Sequence, residues 1–176
     1  MKNILKVFII TAGLVLCFNA KSFALVDVAV WTGIVGGHTD PGPGNGNYLG
    51  LLAGIKGHYN MEITPLFELG VGLFSQASNG RYDLIHKEKV RRKKAGFDTN
   101  IILTLPLIHP YLRGTWAFYD KLEGSVTRFK TAGIGGGIEL GIPFISLFGE
   151  YMYEKSKHKH MDITAKSFNI GLKLSF

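Results

Sequence analysis

Single ionisable residues of both signs recur in segments that are otherwise apolar or small: Lys56, Glu68, Asp98, Arg113, Glu139, Glu150 and Lys173. Side chains of these types can build a salt-bridged core, gate an ion path, or act as a catalytic acid–base set. An unpaired buried charge is costly, so pairs such as Arg113 with Glu139, or Lys173 with Glu139, are expected. Counted from the flanking turns, Lys56, Arg113, Glu139 and Lys173 lie near one end of their segments. Glu68, Asp98 and Glu150 lie nearer mid-height. A second group is uniformly basic: Lys87, Lys89, Arg91, Arg92, Lys93 and Lys94 in one polar stretch, and Lys155, Lys157 and Lys159 with His158 and His160 in another. Clustered cations of this kind suit a polyanion. His158 and His160 form an H-x-H pair that can bind a metal weakly but lacks further ligand types at useful spacing. His58 borders a turn and His109 lies between prolines. Gly133-Ile134-Gly135-Gly136-Gly137 falls in an extended segment with no helix after it, so it is no phosphate-binding loop. No metal or cofactor is expected.

The elements that must position these residues are strands. In the last stretch Phe168, Ile170, Leu172, Leu174 and Phe176 alternate with Ser167, Asn169, Gly171, Lys173 and Ser175, which marks a strand with one apolar and one polar face. The same period of two recurs from 25 to 36, 48 to 58, 63 to 74, 95 to 105, 111 to 119, up to 140, and from 145. The sequence therefore predicts eight strands. A chain of 176 residues with 23 glycines and only 6 prolines fits one sheet domain. Residues 1–24 are set apart. Lys2 and Lys6 precede an apolar run from Val7 to Phe18, and Ser22-Phe23-Ala24 suits cleavage after Ala24, the pattern of a secretory signal peptide. Cys17, the one cysteine, lies inside that run, so the mature domain, 25–176, would hold no disulfide and no thiol nucleophile. Removing Lys2, Lys6 and Lys21 lowers the formal charge of +7 but leaves the chain basic.

The connections at 37–47, 75–94, 120–127 and 155–162 read as long, and those at 59–61, 106–110 and 141–143 as short. In an up-and-down barrel all the long ones emerge at one end, as in transmembrane barrels. Alternation alone does not say which face is inside. Gly133, Gly135 and Gly137 crowd the polar face, and eight strands enclose little space. The polar-face charges are of mixed sign and can pair across a narrow lumen. Tyr59, Trp116, Phe118, Tyr151, Tyr153 and Phe168 lie on the apolar face, where amphipathic rings suit a membrane boundary. The reading is all-β, an eight-stranded antiparallel up-and-down transmembrane barrel, because only helices or a closed barrel satisfy every backbone group in lipid.

Several motifs carry a family resemblance. Asn169, Gly171, Leu174 and Phe176 match the terminal pattern by which bacterial outer-membrane barrels are passed to their assembly machinery. Pro110-Tyr111-Leu112-Arg113-Gly114, Ala132 to Glu139 and Phe148-Gly149-Glu150-Tyr151 also resemble the small eight-stranded outer-membrane barrels of the OmpA transmembrane-domain and OmpX type, across residues 25–176. The resemblance implies an outer-membrane location, a side-chain-filled interior, and roles from envelope integrity to adhesion and host-factor binding. The expected partners are outer-membrane lipid or lipopolysaccharide, the barrel assembly machinery and, through the basic loops, an acidic glycan or host surface protein. Nucleic acid is not expected, and a monomer is. The expected function is non-enzymatic, with a narrow ion-conducting channel as the alternative and a lipid A-modifying enzyme third. The lipid A deacylase type of barrel carries a His-x-Ser pair, and none of the six histidines here is followed two residues later by Ser.

Overall fold

The computed structural model describes residues 26–40, 46–82, 89–123, 129–142, 144–158 and 161–176. The expected signal peptide lies outside them. Eight strands follow in order: β1 (Val26–Asp40), β2 (Asn47–Thr64), β3 (Phe67–Tyr82), β4 (Lys89–Leu103), β5 (Ile108–Leu122), β6 (Lys130–Ile142), β7 (Ile145–His158) and β8 (Met161–Ser175). Each pairs antiparallel with its successor, and β1 pairs with β8, so the sheet closes on itself. The seam is fastened at its end by Val26 N–H donating to Phe176 O (3.2 Å) and Phe176 N–H donating to Val26 O (2.9 Å). No helix among the described residues is long and apolar enough to cross a membrane.

The period of two sorts the side chains. Outward go Val30, Ile34, Leu51, Ile55, Leu73, Ile101, Leu112, Ile134, Ile138, Leu147, Ile170, Leu172 and Leu174, with Leu51 and Leu112 still 66% and 65% exposed. The rings of Tyr59, Trp116, Phe118, Tyr151, Tyr153 and Phe168 join them, and Phe97 stacks on Trp116 with centroids 6.0 Å apart. A soluble protein rarely exposes so continuous an apolar surface. Charged and polar side chains go inward. This is the arrangement that lipid outside and a closed cylinder inside require.

The expected loop pattern needs correction. β3 runs on to Tyr82 and β4 starts at Lys89, so most of the charged stretch 75–94 is strand. β5 likewise runs to Leu122, and β7 and β8 are separated only by 159–160. Strands of 13 to 18 residues exceed the roughly 9–11 residues that span a bilayer, so the barrel wall projects past its apolar belt. The polar alternation in these projections has no apolar partner face, which is why it reads as loop in sequence.

At the opposite end the connections are tight. Leu107 and Phe144 sit there with φ of 76° and 80°, a conformation that disfavours a side chain with a Cβ. Inside, the lumen is narrow enough that one large ring needs a bare neighbour. A Cβ added to Gly54 would lie 2.3 Å from the Trp31 indole, and one at Gly171 would lie 2.5 Å from the Phe148 ring.

Candidate functional site

The lumen holds five buried Lys or Arg and six buried Asp or Glu side chains among the described residues, arranged in three tiers. Nearest the short turns, Lys173 Nζ lies 2.5 Å from Glu139 Oε2 and 3.2 Å from Asp27 Oδ2. At mid-height the Arg113 guanidinium donates to Asp98 through Nε (2.9 Å to Oδ2) and Nη2 (2.5 Å), and to Glu150 through Nη1. Glu150 also accepts from the Tyr111 hydroxyl (3.0 Å) and from Asn169 Nδ2 (3.0 Å), and Lys56 Nζ stands 3.6 Å from it. His58 Nε2 lies 3.1 Å from Asp98 Oδ1. In the projecting wall, Arg92 Nε donates to Asp120 Oδ1 (2.7 Å), while Nη2 reaches Asp120 Oδ2, Ser156 Oγ and Thr131 Oγ1. Lys94 pairs there with Glu154.

Aromatic rings close the space around the mid-height tier. Lys56 Nζ lies 4.8 Å from the Phe148 centroid, 5.6 Å from Tyr111 and 5.8 Å from Trp31. Arg113 sits 5.1 Å from Trp31 and 6.0 Å from Phe74. Cation–π contacts of this kind hold a charge where water is excluded. The charges thus satisfy one another within a plug of rings, which is the side-chain-filled interior of a small barrel.

Of the expected lumen residues, Lys56, Asp98, Arg113, Glu139, Glu150 and Lys173 are buried inside the barrel. The expected Arg113–Glu139 pair is replaced by Arg113 with Asp98 and Glu150, because stagger brings those two carboxylates to its level. Glu68 differs from expectation. It lies beside the β2–β3 turn, opposite Glu62, half-buried and accepting from Thr104 Oγ1 (3.2 Å), not at mid-height. His58 is inside β2 and His109 is buried at the start of β5, so neither belongs to a turn. Asp27, Asp120 and Glu154 complete the lumen and were not singled out by sequence.

The basic surface also changes. Arg92 and Lys94 are 3% exposed and belong to the lumen. In a strand, consecutive cations point to opposite faces, so only Lys89, Arg91 and Lys93 remain outward on β4. Lys155 and Lys157 are outward on β7. Lys87 and Lys159 lie outside the described residues, as does His160, while His158 packs its ring 5.9 Å from Phe129. In the terminal pattern, Asn169 and Gly171 serve the interior, against Glu150 and Phe148, and Leu174 and Phe176 face outward.

No family model matches the chain, and no curated protein matches it. Among solved structures it is similar to Neisserial surface protein A, with 13% identity, 86% of this chain and 97% of that chain covered, and a TM-score of 0.65. It also aligns with the N-terminal β-barrel domain of Pseudomonas aeruginosa OprF (14% identity, 84% and 97% covered, TM-score 0.42) and with the outer membrane protease OmpT of Escherichia coli (9%, 86% and 96%, 0.43). The first alignment establishes the fold, and the looser two carry no argument. With its apolar belt outside and its ions sealed within, the chain has the fold of that surface protein, a closed eight-stranded antiparallel transmembrane barrel.

Proposed function

We propose that this barrel is a non-enzymatic surface-interaction protein, a rigid outer-membrane pillar whose projecting basic wall contacts an acidic glycan or an acidic surface protein of a host. The observation that carries this reading is the division of charge in the projecting wall. Arg92 and Lys94 are neutralised inside by Asp120 and Glu154, whereas Lys89, Lys93, Lys155 and Lys157 stand outward beside the exposed Arg91–Glu123 pair. Cations so placed raise the local concentration of an anionic partner and orient it. Among the described residues, the dense clusters of acids and bases are enclosed in the lumen.

Heparin serves as the test polyanion. The folded protein in neutral detergent is expected to be retained on a heparin matrix and to elute with salt. Replacing Lys89, Arg91, Lys155 and Lys157 by glutamine should shift elution to markedly lower salt, because each removes an exposed, screened contact. Unchanged retention of that variant would contradict the proposal.

A further inference from the structure

The outer wall carries a feature that a soluble polyanion does not require. On every strand from β4 to β8, the first outward charge beyond the apolar belt is a lysine: Lys93, Lys121, Lys130, Lys155 and Lys166. Three of these stand against another lysine. Lys93 stands directly across from Lys121, and Lys130 from Lys157. Like charges directly opposite one another destabilise a sheet. Neither Lys93 nor Lys121 has a carboxylate within ion-pair distance among the described residues, and the nearby Glu123 is engaged by Arg91 at 3.3 Å. An anion seated between Lys93 and Lys121 turns this repulsion into attraction.

The wall beside this pair is hollow. Ala53, Ala77, Lys93 and Lys121 form one register row across β2 to β5. On β2 the trough at Ala53 lies between the outward side chains of Leu51 and Ile55. The resulting groove has a volume of about 640 Å³ and its lining includes Leu51, Ala53, Ala77, Lys93 and Lys121, together with the Arg91–Glu123 ion pair. That volume is in the range of small-molecule sites. Its apolar lining comes from β2 and β3, and its two lysines stand at the β4–β5 end of the same row. An occupant must therefore be greasy along one part and anionic at one end.

We propose that this groove binds a phosphorylated, acylated lipid of the outer leaflet, with phosphate between Lys93 and Lys121 and an acyl chain along Ala53 and Ala77. The ammonium groups are donors to phosphate oxygens, and the alanine floor admits the chain that bulkier residues would exclude. The assignment rests on the membrane-spanning orientation and not on glycan or host binding.

The test uses the mature protein purified in neutral detergent, with folding verified by its heat-shifted gel mobility. Diphosphoryl lipid A is the probe, its fully dephosphorylated form the comparison, and binding is read by native mass spectrometry. Wild-type protein should retain the phosphorylated probe and not the dephosphorylated one. Lys93→Gln with Lys121→Gln should weaken binding by about thirtyfold, the worth of two lysines near an anionic lipid surface. Ala77→Leu, which fills the trough without altering charge, should also weaken it, whereas Lys89→Gln should not. Inorganic phosphate should fail to displace the lipid. Equal binding by the double lysine variant and by Ala77→Leu, or displacement by inorganic phosphate, would overturn the proposal. Because the heparin variant leaves Lys93, Lys121 and Ala77 unchanged, either result can fail without the other.

Discussion

Arg113 shows at residue scale what holds this interior together. Its three nitrogens are divided between Asp98 and Glu150, and the two carboxylates have further partners in His58, Tyr111, Asn169 and Lys56. Removing the guanidinium leaves two buried carboxylates facing each other across a gap. Arg113→Ala should therefore lower the stability of the folded barrel by about 3–5 kcal/mol, measured as a shift of the urea midpoint in lipid vesicles. Adding Asp98→Asn and Glu150→Gln should recover much of that loss, since the orphaned charges are gone. The residue types in this cluster were legible in the sequence as single charges on a small-residue face. Their pairing was not, because it depends on how far each strand is staggered against its neighbour. The same gap explains Glu68, which lies at a turn and not at mid-height.

Strand β5 explains, at the scale of the element, why the upper tier escaped the sequence reading. From Tyr111 to Ala117 its odd-numbered residues face inward. The register then slips, with Ala95 opposite Tyr119 but Gly96 opposite Ala117, so Phe118 is an extra residue on β5. A bulge of this kind reverses the parity of everything beyond it. Asp120 therefore turns inward to meet Arg92, where simple alternation puts it outside. Deleting Phe118 should restore a regular ladder with Asp120 still opposite Lys94 and facing inward, whereas Asp120→Ala should cost about 3–5 kcal/mol, the penalty for orphaning the buried Arg92. Phe118→Ala keeps both the bulge and the Arg92–Asp120 pair and should cost much less than Asp120→Ala, as their urea midpoints would show. At the tight end of the barrel the turn chemistry points the other way. Leu107 holds a φ of 76°, and Leu107→Gly should raise stability by about 1 kcal/mol in the same assay, by removing the Cβ clash. The eight strands themselves were legible because apolar alternation is strong within the belt. Their projecting ends were not, because Arg91 to Lys94 alternate charge with charge and offer no hydropathy contrast.

For the whole molecule, the lumen plug and the apolar exterior make separate predictions. Trp31, Phe74, Tyr111 and Phe148 crowd the buried cations at mid-height, so planar bilayers containing the protein should show no steady conductance. A stable open level that disappears on replacing Arg113 would instead favour the ion-path alternative. The orientation of the wall is the claim on which both the basic rim and the lipid groove depend. The chain has two tryptophans, and the fold places them on opposite sides of that wall. Trp116 is 54% exposed on the outside and Trp31 is 4% exposed within. The direct measurement is fluorescence quenching by brominated lipid in vesicles containing Trp31→Phe or Trp116→Phe protein. Trp116, left alone, should be strongly quenched, and Trp31, left alone, should be shielded from both brominated lipid and aqueous acrylamide. Quenching of Trp31 by the lipid, with Trp116 protected, would mean that the barrel is inside out and the account is wrong.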